Sequence, residues 1–538
     1  MMKRYFNLLL VCLLTQAIYS QEPIVKWGEP VDEPAIKAAK IQKIMLTDEP
    51  GIFYVHRKTV GFVEVQGNWL EKYDQSNKFV YSKEIPSAEG VWGNGILFRK
   101  ILPLQDRFLL FYSGYNKATK ESSYIARVMS SNGDIDKTDI KLESITAEKG
   151  SNPGLYDVAV SPDKTKLLLL TTFPEAKEQK AKLRLRVFDT QTMKELGTKE
   201  TELSFDSKKG CETDMLVDNT GNAYVVERYV SDKKKFEFNL YTYNLTSGEW
   251  KENPLDMGEK TISEQRRFMF TPSGDILFAG FLFTKVEMTP TGLFYVRVNT
   301  KTQAIEANAK PGYGDVAKKE KEDDSFSYYK LRGIETQANG NVLIISEWED
   351  ATNVPSAAPQ GPQTPGQMAS HGGMNYDRQF NTTDIKVACI KPDGTRAWIR
   401  TIDKREKCTT PDNDKRWDSF VYGCVNDRLY ILYNNTQFFG LDLTTGILNG
   451  WKEADGSVHH LKDFESKTLV PTFLYVVEPN GDLIFSDKKY GLPLYSFQKG
   501  IFFNMNLNTA FYYPLPDGIL MMDVMPDGKK YQFGKINF

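Results

Sequence analysis

The stretch VAVSPDKTKLLLLTTF (158–173) carries the architecture in miniature. An apolar strand runs into Ser161-Pro162-Asp163-Lys164, and a second apolar strand, rich in leucine and threonine, runs out of it. Residues of the Pro/Asp/Asn/Gly kind preset turn geometry or tolerate positive φ, so two strands flanking them read as a tight antiparallel hairpin. The same design returns in MLVDNTGNAYVVERYV (215–230), FMFTPSGDILFAGFLF (268–283), IETQANGNVLIISEW (334–348), VYGCVNDRLYILYNN (421–435) and LYVVEPNGDLIFSD (474–487). A looser copy, ILMMDVMPDGKKYQFGKI (519–536), follows last.

A second hairpin often follows the first, as in LRLRVFDTQTMKEL (183–196), FNLYTYNLTSGEW (238–250), GLFYVRVNTKTQAIEA (292–307) and IKVACIKPDGTRAWIR (385–400). Two hairpins in succession make a four-stranded meander, and the unit recurs about every 50–60 residues. One twisted meander cannot bury both of its apolar faces alone; radial stacking buries them and leaves only short edges. The reading is an all-β fold, a β-propeller of four-stranded antiparallel blades. Eight units can be counted, at 44–87, 96–141, 155–205, 211–258, 264–308, 329–402, 416–460 and 470–515. Seven blades is the alternative count, and two smaller β domains the alternative architecture. The leftover strands at 519–536 are expected to close the ring on the blade holding GIFYVHRK (51–58). Helical periodicity is confined to Ala35–Ile44.

The first twenty residues stand apart. Lys3 and Arg4 precede an apolar run from Tyr5 to Leu14, and Ser20 precedes Gln21, the pattern of a cleaved secretory signal peptide. The run falls short of the roughly 20 residues a membrane-spanning helix needs. The expected organisation is a signal peptide at 1–20, a lead-in segment at 21–43 and one propeller domain at 44–538. The Pro/Gly/Gln-rich stretch 351–380 is read as a mobile insert between the two hairpins of the sixth blade. Export to the periplasm or cell surface follows, with no transmembrane segment after cleavage and a monomer expected. The net charge of −2 gives no field that would draw nucleic acid.

Little recognisable chemistry is present. His56, His371, His459 and His460 show no metal-ligand spacing, and no C-x-x-C pair, G-x-S-x-G elbow or phosphate-binding loop occurs. Neither a metal nor a cofactor is expected. Cys408 and Cys424 flank the polar connection 409–417 and could bridge it as a disulfide, the alternative being two thiols. Glu347, Glu349 and Asp350 cluster beside Trp348 at the root of the insert. An aromatic residue among acids suits a sugar or peptide ligand, so these four are the candidate ligand-binding residues; an exposed strand end is the plainer alternative. No catalytic residue is assigned.

The stretch from Asn381 to Asn435, NTTDIKVACIKPDGTRAWIRTIDKREKCTTPDNDKRWDSFVYGCVNDRLYILYNN, resembles a family of uncharacterised exported propeller-like proteins of Bacteroidota. Asp384, Ile385, Lys391, Asp393, Gly394 and Trp398 carry the resemblance on its first half, and Asn426, Asp427, Leu429, Tyr430, Tyr433 and Asn434 on its second. Glu406 stands where that family usually has glutamine. The resemblance implies a Gram-negative cell-envelope protein with no assigned activity. Together these features suggest a non-catalytic binding or scaffolding propeller recognising an envelope protein, a peptide or a glycan. The alternative is an exported, glycan-active hydrolase with carboxylates at the axial mouth.

Overall fold

The structure, a computed structural model, describes residues 25–32, 39–59, 67–89, 95–176, 178–231, 236–257, 261–283, 290–311, 329–355 and 376–402. Beyond these it describes 404, 406–410, 419–434, 441–442, 447–448, 450–452, 458–460, 472–484, 492–498, 501–504, 508–524 and 530–538. The chain is all-β, and its antiparallel meanders are eight four-stranded blades of a β-propeller. The one helical element among the described residues is the 3₁₀ turn Ser207–Lys209.

The chain divides into two compact units. The larger, 36–348 with 385–401, holds blades one to six. Blade one is Ala39–Leu46, Phe53–Thr59, Asn68–Tyr73 and Phe79–Ile85; blade two is Ile96–Pro103, Arg107–Asn116, Glu121–Ser130 and Ile140–Thr146. Blades three to five begin with Leu155–Val160, Gly210–Val217 and Thr261–Phe270. Blade six is Tyr329–Thr336, Val342–Pro355, Tyr376–Ile390 and Arg396–Ile402. The first strands of blades three, four, five and six lie next to one another in turn.

Middle strands are covered on both faces by neighbouring blades, which is why they are apolar without alternation. Leu167, Leu168, Leu169 and Leu170 of the 166–172 strand are all buried. Between blades four and five, Tyr224, Val226, Phe278 and Phe294 form one such interblade core, and Tyr54, Leu70, Phe108 and Tyr112 form another between blades one and two. The hairpin turns close as their sequences require. Gly221 and Gly274 sit at φ 92° and 85°, where a Cβ would be strained, while Lys164 accepts φ 60° at the matching place in blade three.

The smaller unit, 1–35, 349–384 and 402–538, holds the other two blades. Blade seven pairs Phe420–Val425, Arg428–Asn434, Thr472–Val477 and Leu492–Gln498 in that order. Blade eight pairs Asn508–Leu515, Gly518–Val524 and Lys530–Asn537, and its fourth strand is Val25–Trp27. Val25 lies opposite Ile536 and Trp27 opposite Gly534, where any side chain at 534 would run into the indole ring.

Several expectations are corrected here. Closure is on 25–27, inside the lead-in segment, and not on the blade of 51–58, which completes itself with four strands of its own. Ala35–Ile44 is not helical where it is described: Ala39–Leu46 is a strand, with Ile41, Ile44 and Met45 buried. The hairpin at 474–487 opens no blade; Thr472–Val477 is the third strand of blade seven. Between it and Asn434, 441–460 includes two small ribbons, one of which pairs Trp451 with His459. At the sixth-blade insert, strands continue to Pro355 and resume at Tyr376, so its two ends are sheet; 356–375 lie outside the described residues. So does His371.

Candidate functional site

Within the larger unit, the first strands of blades one, two, four and six each carry a one-residue β-bulge, and that of blade five slips by more, between Ile262 and Arg266. The register slips between Ile41 and Lys43, Phe98 and Lys100, Gly210 and Glu212, and Leu331 and Gly333. A bulge inserts a residue without a partner and re-aims its neighbours, a device common beside functional sites. At every one of them the chain turns polar or charged next to the slip.

Beside the bulges of blades one and two lies a cleft of about 520 Å³, lined by Lys43, His56, Lys58, Asn68, Phe98 and Arg99, with Gln42, Ser87, Leu97 and Lys100 also among its lining residues. Lys100 is engaged, donating to Asp157 Oδ1 at 2.7 Å and to the Val158 carbonyl at 2.9 Å. Arg99 donates through Nε to Ser113 Oγ at 2.6 Å. Among the described residues, no carboxylate lines the cleft and none pairs with Lys43, Lys58 or Arg99. Partial desolvation, reinforced by the Lys100 ammonium, holds Lys43 below the ordinary lysine value. Burial likewise lowers His56 below the usual imidazole value, with Lys58 and Lys43 pushing the same way against its hydrogen bond to Asn68. His56 is therefore neutral at pH 7. Its Nε2 lies 3.1 Å from Asn68 Oδ1, and Asn68 Nδ2 donates to Ser87 Oγ at 2.8 Å. Leu97 is 46% exposed, giving the cleft an apolar patch beside Phe98.

The acids of this unit behave in the opposite way. Glu71 is buried against Arg57 Nε at 2.8 Å and accepts the Tyr73 hydroxyl. Glu143 takes Arg184 Nη1 at 2.9 Å. Arg266 grips Asp214 at 2.6 Å and Glu212 at 2.8 Å, and Arg228 shares Glu212. Glu227 differs. Burial, opposed by a hydrogen bond from the Thr213 hydroxyl and aided by the Asp214 charge, pushes its carboxyl up to about 7.

Of the four residues singled out in sequence, Glu347 is fully buried and held by Arg332, whose Nε donates to Oε2 at 2.7 Å. It is a structural ion-pair partner. Trp348 packs, partly buried, on the core shared by blades five and six, opposite Tyr329. Alternation along the strand sends it to the other face from Glu347 and Glu349. Glu349 is half-buried and begins the smaller unit, and the Asp350 side chain lies outside those described. The structure thus ties Glu347 to an arginine and sets Trp348 on the opposite face of the strand from Glu347 and Glu349. Cys408 and Cys424, the expected disulfide pair, lie on strands of different sheets. Cys424 is half-buried on a blade-seven strand, whereas Cys408 pairs with Phe380 on an extension of blade six. Among the described residues no cluster of three or more His, Cys, Asp or Glu side chains could hold a metal ion.

Fold and cleft together define a β-propeller whose open, basic interblade cleft is the candidate ligand site. No known family profile matches the chain, and no curated protein matches it. Solved structures do. The β-propeller domain of the Trilobed protease from Pyrococcus furiosus matches at 10% identity and TM-score 0.34, over 70% of this chain and 99% of that one. A Penicillium chrysogenum α-L-arabinanase complexed with arabinobiose matches at 11% and 0.34, over 61% and 93%. Pyrococcus horikoshii acylaminoacyl peptidase matches at 8% and 0.32, over 73% and 58%. Likeness at this level says nothing of this chain's chemistry.

Proposed function

We propose that this chain is an exported, non-catalytic binding or scaffolding propeller of the bacterial cell envelope, holding its ligand in the cleft between blades one and two. One contrast carries the reading. The acids near the bulged strands are tied to arginines or buried, while the cleft keeps Lys43, Lys58 and Arg99 without a carboxylate partner among the described residues. Concentrated like charge in a concave site is costly for the free protein and is relieved by a ligand of opposite charge. The basic opening segment and apolar run at 3–14 support export, and the likeness at 381–435 supports the envelope setting.

The test compares the mature chain with the double variant Lys58→Glu/Arg99→Glu as baits in envelope extracts. Both substitutions fall on side chains with access to solvent, so thermal stability should change little. Loss of the retained components from the variant supports the reading; equal retention by both refutes it.

A second reading, a glycan-active hydrolase, is favoured by Glu227 alone: a carboxyl near pH 7 can serve as general acid, and Asp214 is its charged neighbour. Turnover on a glycan panel that Glu227→Gln abolishes would put this reading in place of the first.

A further inference from the structure

We infer that the cleft between blades one and two takes a carboxylated sugar, a uronate unit of an acidic polysaccharide. This rests on the binding reading of the same cleft and names its ligand. Charge comes first. Four cationic side chains line the cleft, Lys43, Lys58, Arg99 and Lys100, and only Lys100 has a carboxylate, Asp157, among the described residues. Lys43 and Lys100 lie close enough for one ammonium to disfavour the other, so a carboxylate set between them removes a repulsion as well as gaining two attractions.

Neutral groups then distinguish a sugar from a bare anion. With His56 uncharged and Nε2–H donating to Asn68 Oδ1, its Nδ1 is left as an acceptor. Ser87 Oγ already accepts from Asn68 Nδ2, so its own hydrogen is available to donate. An acceptor and a donor held by one amide match the hydroxyl groups of a pyranose. Phe98 and the exposed Leu97 offer the apolar surface that a sugar's C–H face needs. The volume, about 520 Å³, falls within the roughly 300–1,000 Å³ of small-ligand sites.

An acidic peptide fits less well. Extended peptides gain affinity by adding to an open strand edge. Here the edge of Ile96–Pro103 is already covered at Ile96 and Leu97 by Ala88–Glu89.

Calorimetric titration of the full mature chain tests this with oligogalacturonate, its methyl ester, poly-glutamate and inorganic phosphate, at low and high salt. Oligogalacturonate should bind, weaken with salt, and lose tenfold or more on esterification and again in Lys43→Ala/Lys58→Ala. Equal affinity for the methyl ester, for poly-glutamate or for phosphate overturns the uronate assignment. If the double variant still weakens that binding, the cleft itself stands. Oligogalacturonate binding untouched by the double variant overturns both, and absence of oligogalacturonate binding to the wild-type chain overturns the uronate. Circular dichroism of the variant keeps misfolding from passing as loss of a ligand contact.

Discussion

Replacing Glu227 by glutamine should stabilise this protein increasingly as the pH rises above about 4.5, with the full gain reached above about 7. The carboxyl sits on the 223–230 strand of blade four, buried, with the Thr213 hydroxyl donating to it and the Asp214 charge nearby. Burial raises it from an ordinary 4.5 to about 7. In the unfolded chain the group ionises near 4.5; in the folded chain it keeps its proton until about 7. Between those values the folded state binds more protons, so stability falls as pH rises. The contribution is intact below 4.5 and fully lost above about 7. At about 1.4 kcal/mol per pH unit, the gap between 4.5 and about 7 corresponds to about 3 kcal/mol. Glutamine has nearly the same shape, stays neutral, and can still accept the Thr213 hydroxyl. Urea unfolding of wild type and Glu227→Gln, followed by tryptophan fluorescence, should therefore agree closely at pH 4. At pH 8 the variant should be the more stable by an amount approaching that figure. A shift of the midpoint that is the same at both pH values would show that packing, and not ionisation, is what the substitution changes, and the reasoning would fail.

Two further perturbations follow from the same accounting of charge and space. Arg332→Ala removes the guanidinium that donates to the buried Glu347 carboxylate, and should destabilise by about 1–3 kcal/mol; Arg332→Ala/Glu347→Gln should recover much of that in the same urea assay. Gly534→Ala drives a methyl group into the Trp27 ring and should loosen the fourth strand of blade eight; faster amide exchange at 25–28, with blades one to six unchanged, is the expected result.

Blades two to six were legible because their information is local. Each strand–turn–strand copy fixes its own hairpin, and Asp, Pro, Asn and Gly mark the turns whatever surrounds them. The same locality limited the reading at the end of the chain. A hairpin looks alike whether it opens a blade or sits later in it, so 474–487 gave no sign that it completes the sheet of 420–434. No local pattern says that 25–27 will find 534–536. The candidate site had only a faint signature. Gln42-Lys43 and Arg99-Lys100 each put two adjacent polar residues into a strand between apolar ones, which is how a bulge reads, yet isolated lysines resemble any solvated face. Glu347 drew attention for its acidity and neighbours; that Arg332, fifteen residues earlier, neutralises it depends on which face each strand presents.

The pairing of 25–27 with Lys530–Asn537 makes blade eight a joint product of the two ends of the described chain, separated by about five hundred residues. Closing so long a loop is entropically expensive and slow compared with a hairpin. Because Val25 lies opposite Ile536, the join could be rewired. A short link from Phe538 to Val25, with new ends opened between 33 and 38, would turn the longest-range contact of the fold into a local turn. Such a permutant would assemble its last blade as readily as its third, and the difference in refolding rate would measure what distance alone costs this chain.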